Sequence, residues 1–274
     1  MNPIITAALN GPIATRANNP ALPETPADIA ASAKGAHAAG AAVIHIHLRD
    51  EQGGFTTDLD VAKRTVELVR EACPGIIQLS TGGAFEYEDR MRLVEAKPAM
   101  ATFNPCTMSF ADGEFRNPPK LMRQMAARML ELGVKPEVEL YDIGHLGVML
   151  DLLKEGLLVE PLQVSFVMGV KGGMPGDATL LSWLVNQLPA GTSWQVIGIA
   201  RANVPMTAIG LAIGGNARTG MEDTLMVKPR VLADSNAQLV ERLVAVARSM
   251  NREPATVEEV IERLQLTPEL VGEG

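Results

Sequence analysis

The 274-residue chain predicts a single α/β domain, a (β/α)8 TIM barrel with parallel strands. Short β-branched runs alternate with amphipathic stretches from one end of the sequence to the other, the pattern of strands crossing to helices. About eight such units can be counted with no break in composition between them, within the length that one barrel of roughly 250 residues ordinarily occupies. The composition agrees: 47% hydrophobic but only 4% aromatic, with 25 Gly and 14 Met, suits helices packed closely on a parallel sheet better than an all-β sandwich. An open doubly wound sheet is the alternative, because periodicity does not report closure.

The first strand reads at residues 4–8. Thr25 and Pro26 then supply an N-cap and a first-turn proline for a helix to about residue 39. A second strand at 43–47 leads to a helix at 59–72, and a third at 76–79 to a helix at 87–96. The remaining strands read at 100–103, 137–141, 162–167, 194–200 and a short run near Arg218. Helices are expected between them near 120–132, 146–155, 180–188 and 205–214, with a long one at 236–251 after the eighth strand. Met122, Met125 and Met129 recur at helical spacing and read as core. About residues 252–274 form a short C-terminal helical extension, with one helix at 256–264, packed on the barrel or on a neighbouring subunit.

Formal net charge is −8, with both signs interspersed. A nucleic-acid binder would need a basic stripe, and there is none. Cys73 and Cys106 form neither a CxxC pair nor a disulfide framework, which fits a reducing cytoplasm. No run approaches the ~18 apolar residues of a membrane helix, and the N-terminus lacks a basic segment followed by an apolar one. A soluble cytoplasmic protein without nucleic-acid or membrane partners is the expectation.

In a barrel of this kind, polar residues at the C-terminal ends of strands read as active-site residues. The second strand carries Val43-Ile44-His45-Ile46-His47-Leu48-Arg49-Asp50. Residues two apart share a face, so His45 and His47 stand side by side and can chelate a metal such as Zn²⁺. They are two of only four histidines. Just after the eighth strand, Arg218-Thr219-Gly220-Met221-Glu222-Asp223 offers a carboxylate as third ligand, and two His plus one carboxylate with an open position is a catalytic zinc arrangement. One of the adjacent acids can bind metal while the other, near Arg218, acts as a base.

Ser80-Thr81-Gly82-Gly83 after the third strand suits an anion or carbonyl oxygen approached by backbone N–H groups. The loop Gly169-Val170-Lys171-Gly172-Gly173-Met174 is open enough for a lid but has neither P-loop nor dinucleotide spacing. Glu139 sits mid-strand facing the barrel interior, a costly place for a carboxylate unless it is paired or used; Glu137 shares its face, and one of the two can be a plain structural ion-pair partner. His37 reads as structural, and His145 as either structural or functional.

Taken together these motifs resemble the β-keto acid cleavage enzymes over essentially the whole chain. The likeness runs through Thr6-Ala7-Ala8, Thr15-Arg16, Asn19-Pro20, the 43–49 strand, 78–83, Met100-Ala101-Thr102-Phe103-Asn104, 136–139, Gly172-Gly173-Met174, Arg218 with Glu222-Asp223, and Ser235-Asn236-Ala237-Gln238. The resemblance implies a zinc ion on His45, His47 and Glu222, Asp223 as the base with Arg218 and Ser80 assisting, and acetyl-CoA as co-substrate. Thr102 and Glu139 match substrate-contacting positions, with Asn104, Gly82, Gly83 and Ile13 expected beside them. It also implies a homotetramer, and a reaction that makes acetoacetate and a new acyl-CoA from a β-keto acid and acetyl-CoA. Two departures stand out: Ile13 replaces a Glu that meets the ammonium of aminohexanoate substrates, and Asn216 replaces a usual His. A metal-dependent barrel hydrolase is an alternative, although such barrels place HxH on the first strand and recruit later histidines, of which only His145 is available. A non-catalytic barrel holding metal for structure is another, and the co-occurrence of base, arginine and ligands argues against it.

Overall fold

A computed structural model describes residues 1–83 and 85–272. In chain order the strands are β1 (Ile5–Ala8), β2 (Val43–Ile46), β3 (Ile76–Leu79), β4 (Met100–Phe103), β5 (Met108–Phe110), β6 (Gly113–Phe115), β7 (Lys135–Leu140), β8 (Gln163–Met168), β9 (Ser193–Gly198), β10 (Asn216–Thr219), β11 (Met226–Lys228) and β12 (Val231–Leu232). Eight of them close a barrel in the order β1-β10-β9-β8-β7-β4-β3-β2. Every neighbour pair is parallel, and the last strand meets the first with Ile5 opposite Ala217 and Thr6 opposite Arg218. The sheet is therefore closed, and the open alternative falls.

The outer ring comprises α1 (Pro26–Ala38), α2 (Leu59–Ala72), α3 (Tyr87–Arg92), α4 (Pro119–Leu132), α5 (Ile143–Lys154), α6 (Ala178–Val185), α7 (Asn203–Ala212) and α8 (Asn236–Ser249), followed by α9 (Val257–Leu264) and α10 (Pro268–Val271). Caps explain where the helices depart from the sequence expectation. Asp142 accepts from the Gly144 N–H and starts α5 three residues early, so His145 is helical. Asp177 accepts from the Leu180 N–H and starts α6 at Ala178. The expected 87–96 helix is α-helical only to Arg92 and continues as a 3₁₀ turn over Leu93–Ala96.

Outward strand residues pack on the helices: Ile44, Ile46, Ile77 and Leu79 with Ala33, Val66 and Val69 on one side, and Phe103, Val138, Val164 and Phe166 with Met122, Met125, Met129 and Met149 on the other. The methionine stripe is core, as expected. The C-terminal extension docks on its own barrel, at the end where the strands begin. Ala255 N–H donates to Pro3 O, Asn2 donates to Glu259, and Val260, Leu264, Leu266 and Leu270 are buried. Residues 273–274 of that extension lie outside the described residues. No helix among the described residues is long and apolar enough to cross a membrane.

Candidate active site

Strand alternation does what the HxH spacing predicts. His45 and His47 both turn into the barrel mouth, ring centroids 5.4 Å apart, although β2 itself ends at Ile46. Glu222 reaches them from the loop after β10 by crossing over β1, where its N–H donates to Ala8 O (3.2 Å). Two glycines allow that crossing. A Cβ at Gly220 (φ +152°) would lie 2.0 Å from Ala8 O, and one at Gly11 (φ +64°) 2.7 Å from Glu222 Cγ. Asn236 ties the same loops together, accepting from the Met221 N–H and donating to Leu9 O. Asn10 clamps His47 through a reciprocal pair, its Nδ2 donating to His47 O and its Oδ1 accepting from the His47 N–H.

His45 Nε2 lies 3.1 Å from Glu222 Oε2, and His47 Nε2 lies 3.5 Å from Glu222 Oε1. One ligand atom from each of the three residues falls within 4.8 Å of the others. His45 Nε2 and Glu222 Oε2 are buried without a hydrogen-bond partner. His45 Nδ1 donates to Gln78 Oε1 at 2.7 Å, which leaves the Nε2 lone pair facing the gap, as a metal ligand needs. The donor set fits a divalent ion, and the orphaned atoms are what such an ion would satisfy.

Arg218, from β10, organises the acids. Its guanidinium grips Asp223 in a fork (Nη2–Oδ1 2.8 Å, Nε–Oδ2 3.2 Å), holds Glu222 Oε1 at 2.7 Å and reaches Glu139 Oε1 at 3.5 Å. Burial alone would lower the Arg218 pKa, but Asp223, Glu222 and Glu139 hold it well above its ordinary value. Burial raises the Asp223 carboxyl above its ordinary value even against Arg218, and pushes Glu139 up to about 7. Tyr141 donates its hydroxyl proton to Glu139 Oε2 (3.2 Å).

These groups floor a cavity of about 1240 Å³. Ser80, Gly82, Gly83, Asn104, Glu139, Ile13, His47, Arg218, Glu222 and Asp223 all line it, so most of the sequence-derived site converges. Asn104 is buried with neither amide atom partnered, an orientation that awaits a ligand. Ser80 Oγ accepts from the Gly82 N–H (3.1 Å) and makes no hydrogen bond to Asp223. Thr102 does not reach the cavity; it is fully buried below, its hydroxyl accepting from the Thr81 N–H. Sequence reasoning missed the walls. One is aromatic, from the β5–β6 hairpin (Phe110, Phe115) with Tyr141, and the other cationic, with Arg201 and, from β11–β12, Lys228 and Arg230. The hairpin strands are two or three residues long, too short for a periodic signal. The glycine loop at 169–174 is no free flap, since Lys171 O accepts from Ala111 N–H and Met174 N–H donates to Tyr141 O.

Residues 3–266 match the profile of the beta-keto acid cleavage enzyme family. The chain is 38% identical over 267 residues to the 3-keto-5-aminohexanoate cleavage enzyme of Fusobacterium nucleatum subsp. nucleatum, covering 96% of this chain and 97% of that one. It belongs to the β-keto acid cleavage enzyme family. Another relative is the 3-oxoadipate:acetyl-CoA acetyltransferase of Cupriavidus necator, 33% identical across 93% of this chain and 91% of that protein. The solved apo structure of ObcA superposes with a TM-score of 0.75 at 19% identity, over 90% of this chain and 66% of ObcA, and supports the barrel fold.

As a β-keto acid cleavage enzyme this protein breaks a carbon–carbon bond. The hydrolase alternative also lacks its further histidine: His145 Nδ1 accepts from the Tyr141 N–H, and the ring is not in the cavity wall. Asn216, in place of the usual His, sits at the start of β10 and bridges Ile4 N–H, Ser193 Oγ and Trp194 O, a structural post far from the mouth. Ile13 stands at the rim, 70% exposed.

Proposed function

We propose that this enzyme condenses a β-keto acid bearing a neutral tail with acetyl-CoA and releases acetoacetate and a new acyl-CoA, with zinc held by His45, His47 and Glu222. The observation that carries the reading is the gap between His45 Nε2, His47 Nε2 and Glu222, set beside the Arg218–Asp223 fork. A bound zinc ion supplies Lewis acidity to the keto and carboxylate oxygens of the substrate.

The remaining steps belong to side chains. Asp223 takes the proton from C2, between the two carbonyl groups, and Arg218 orients its carboxylate while keeping Glu222 turned to the histidines. The C2 carbanion attacks the thioester carbon of acetyl-CoA and CoA leaves as thiolate. The thiolate adds to the original ketone carbon, and the C2–C3 bond breaks to give the new acyl-CoA and the acetoacetate carbanion. Asp223 returns the proton to that carbon, so protons balance over the cycle. Asn104, with both amide atoms free, is placed to bind substrate oxygen.

The size of the cavity suits two substrates, and its two walls suit different parts of them. The cationic wall (Arg201, Lys228, Arg230) fits the phosphates of CoA, and the aromatic wall with Ile13, Val167 and Val170 fits an uncharged acyl tail. Glu139 is already engaged by Arg218 and Tyr141, so it is not free to meet an ammonium. An unpaired buried cation costs several kcal/mol, and about 1.4 kcal/mol is tenfold in affinity. A cytoplasmic homotetramer belongs to the same reading, and exposed apolar side chains such as Trp183, Ile213 and Leu232 offer surface for contacts between copies.

The test is acetyl-CoA-dependent acetoacetate formation over a panel of β-keto acids, with metal content measured on the same sample. Turnover should be higher for straight-chain than for aminated acids, and Ile13→Glu should shift the preference toward the amine. Acetoacetate from none of the panel would sink the reading.

A further inference from the structure

Below the mouth lies a second polar cluster that the proposed reaction does not use. Thr6, Gln78, Glu137, Ser165 and Gln195 point into the barrel from five different strands, and none is more than 1% exposed. A carboxylate in such a place is expensive unless it has a task.

The hydrogen bonds of this cluster run in one forced direction. The Thr6 hydroxyl donates to Gln195 Oε1 (3.1 Å), so the Gln195 amide NH₂ faces away, toward Glu137 Oε2 (3.0 Å) and Ser165 Oγ (3.0 Å). Glu137 Oε2 also receives Gln78 Nε2 at 2.9 Å. A carboxylate only accepts, so Gln78 must turn its NH₂ to Glu137 and its oxygen to His45. An amide oxygen likewise only accepts, so His45 must carry its proton on Nδ1, 2.7 Å away. With Gln78 flipped, two oxygens would oppose each other, and the amide NH₂ would demand a lone pair from Nδ1. The proton would then sit on Nε2, the atom that faces His47 and Glu222.

We propose that Gln78 and Glu137 are positioning residues, a buried carboxylate–amide relay that fixes the Nδ1–H tautomer of His45 and keeps Nε2 open to a metal ion. This rests on the reading that His45, His47 and Glu222 hold the metal. Partners behind a ligating histidine typically set metal affinity by about 10–100-fold. Neither Gln78 nor Glu137 lines the cavity, so their effect on catalysis passes through His45.

The decisive variant is Glu137→Gln, which keeps shape but lets the side chain at 137 donate as well as accept. Two readouts are taken: zinc affinity by chelator competition, and the His45 tautomer from imidazole ¹⁵N shifts of the metal-free protein at alkaline pH. Glu137→Gln should show a second, Nε2–H population and bind zinc about 10–100-fold more weakly. The double variant Gln78→Glu/Glu137→Gln should recover both, since a carboxylate at 78 accepts the Nδ1 proton directly and the amide at 137 can donate to it. If Glu137→Gln does not fold, Gln78→Met, which removes the acceptor of the Nδ1 proton together with one donor to Glu137, carries the same expected weakening. Wild-type affinity with a single tautomer in these single variants overturns the relay, and so does a loss that the double variant leaves uncorrected. Wild-type protein that holds no zinc sinks the metal reading, whereas a metal-free wild-type ring protonated on Nε2 sinks the relay alone.

Discussion

Two polar layers lie one above the other inside the barrel, and they are finished differently. In the lower layer Gln78 and Gln195 donate to Glu137 Oε2 and Thr6 and Ser165 bond Gln195, at 2.9–3.1 Å, which leaves Glu137 Oε1 as the one unpartnered polar atom of these five side chains. In the upper layer, at the barrel mouth, the bonds stop short. His45 Nε2 and Glu222 Oε2 face each other at 3.1 Å without a hydrogen bond, and both amide atoms of Asn104 are buried and unpartnered. Buried polar atoms are nearly always satisfied, so four orphaned atoms on three residues at the mouth, against one on the five residues beneath, separate the place that receives ligand from the place that holds it in shape.

The largest effect expected from breaking this contrast is at the metal triad. The His45→Ala/His47→Ala double variant should lose the zinc, about one per chain in the wild type, and with it turnover. Full metal content in that variant, read by elemental analysis, would place the ion elsewhere. Next, Asp223→Asn should keep fold and zinc yet lower kcat by about 10²–10⁴-fold, the usual cost of a missing general base. Near wild-type kcat would move the base role to Glu139. In the lower layer the balance should reverse. Gln195→Leu removes the acceptor of the Thr6 hydroxyl and one of the two N–H donors to Glu137 Oε2, and should cost about 1–3 kcal/mol of stability in denaturant unfolding, with kcat much less affected. A kcat loss as large as that of Asp223→Asn would erase the distinction between the layers. The smallest change belongs to the cationic wall: Lys228→Ala/Arg230→Ala should raise KM for acetyl-CoA several-fold, an effect that shrinks at higher salt, and leave KM for the keto acid alone. Equal shifts in both KM values would deny that wall its phosphate.

Much of the upper layer was legible in the sequence because strand alternation is a two-residue rule: once His45 and His47 are on a strand, they must share a face. Glu222 and Asp223 were legible as a pair but not in their division of labour. Alternation sends neighbours apart on regular backbone, whereas here Arg218 gathers both. Glu137 stands out in the sequence only as one of two acids sharing a face, one of them a structural ion-pair member, and Gln78 only as part of a family stretch. A lone amide or acid on a strand looks the same whether it faces solvent or another strand 59 positions away. Thr102 shows the converse limit: the sequence places it on the correct strand, but depth along the barrel decides whether a hydroxyl meets substrate or the Thr81 backbone.

The docking of α9 and α10 gathers both ends of the described chain beneath the barrel floor. Arg263 donates to Asn2 O, Arg252 to Met1 O and Arg70 to Leu270 O, all on the side opposite the cavity. Chain joined on at either end of the described residues would therefore leave from the face opposite the entrance, which makes immobilisation or fusion to a partner compatible with access to both substrates.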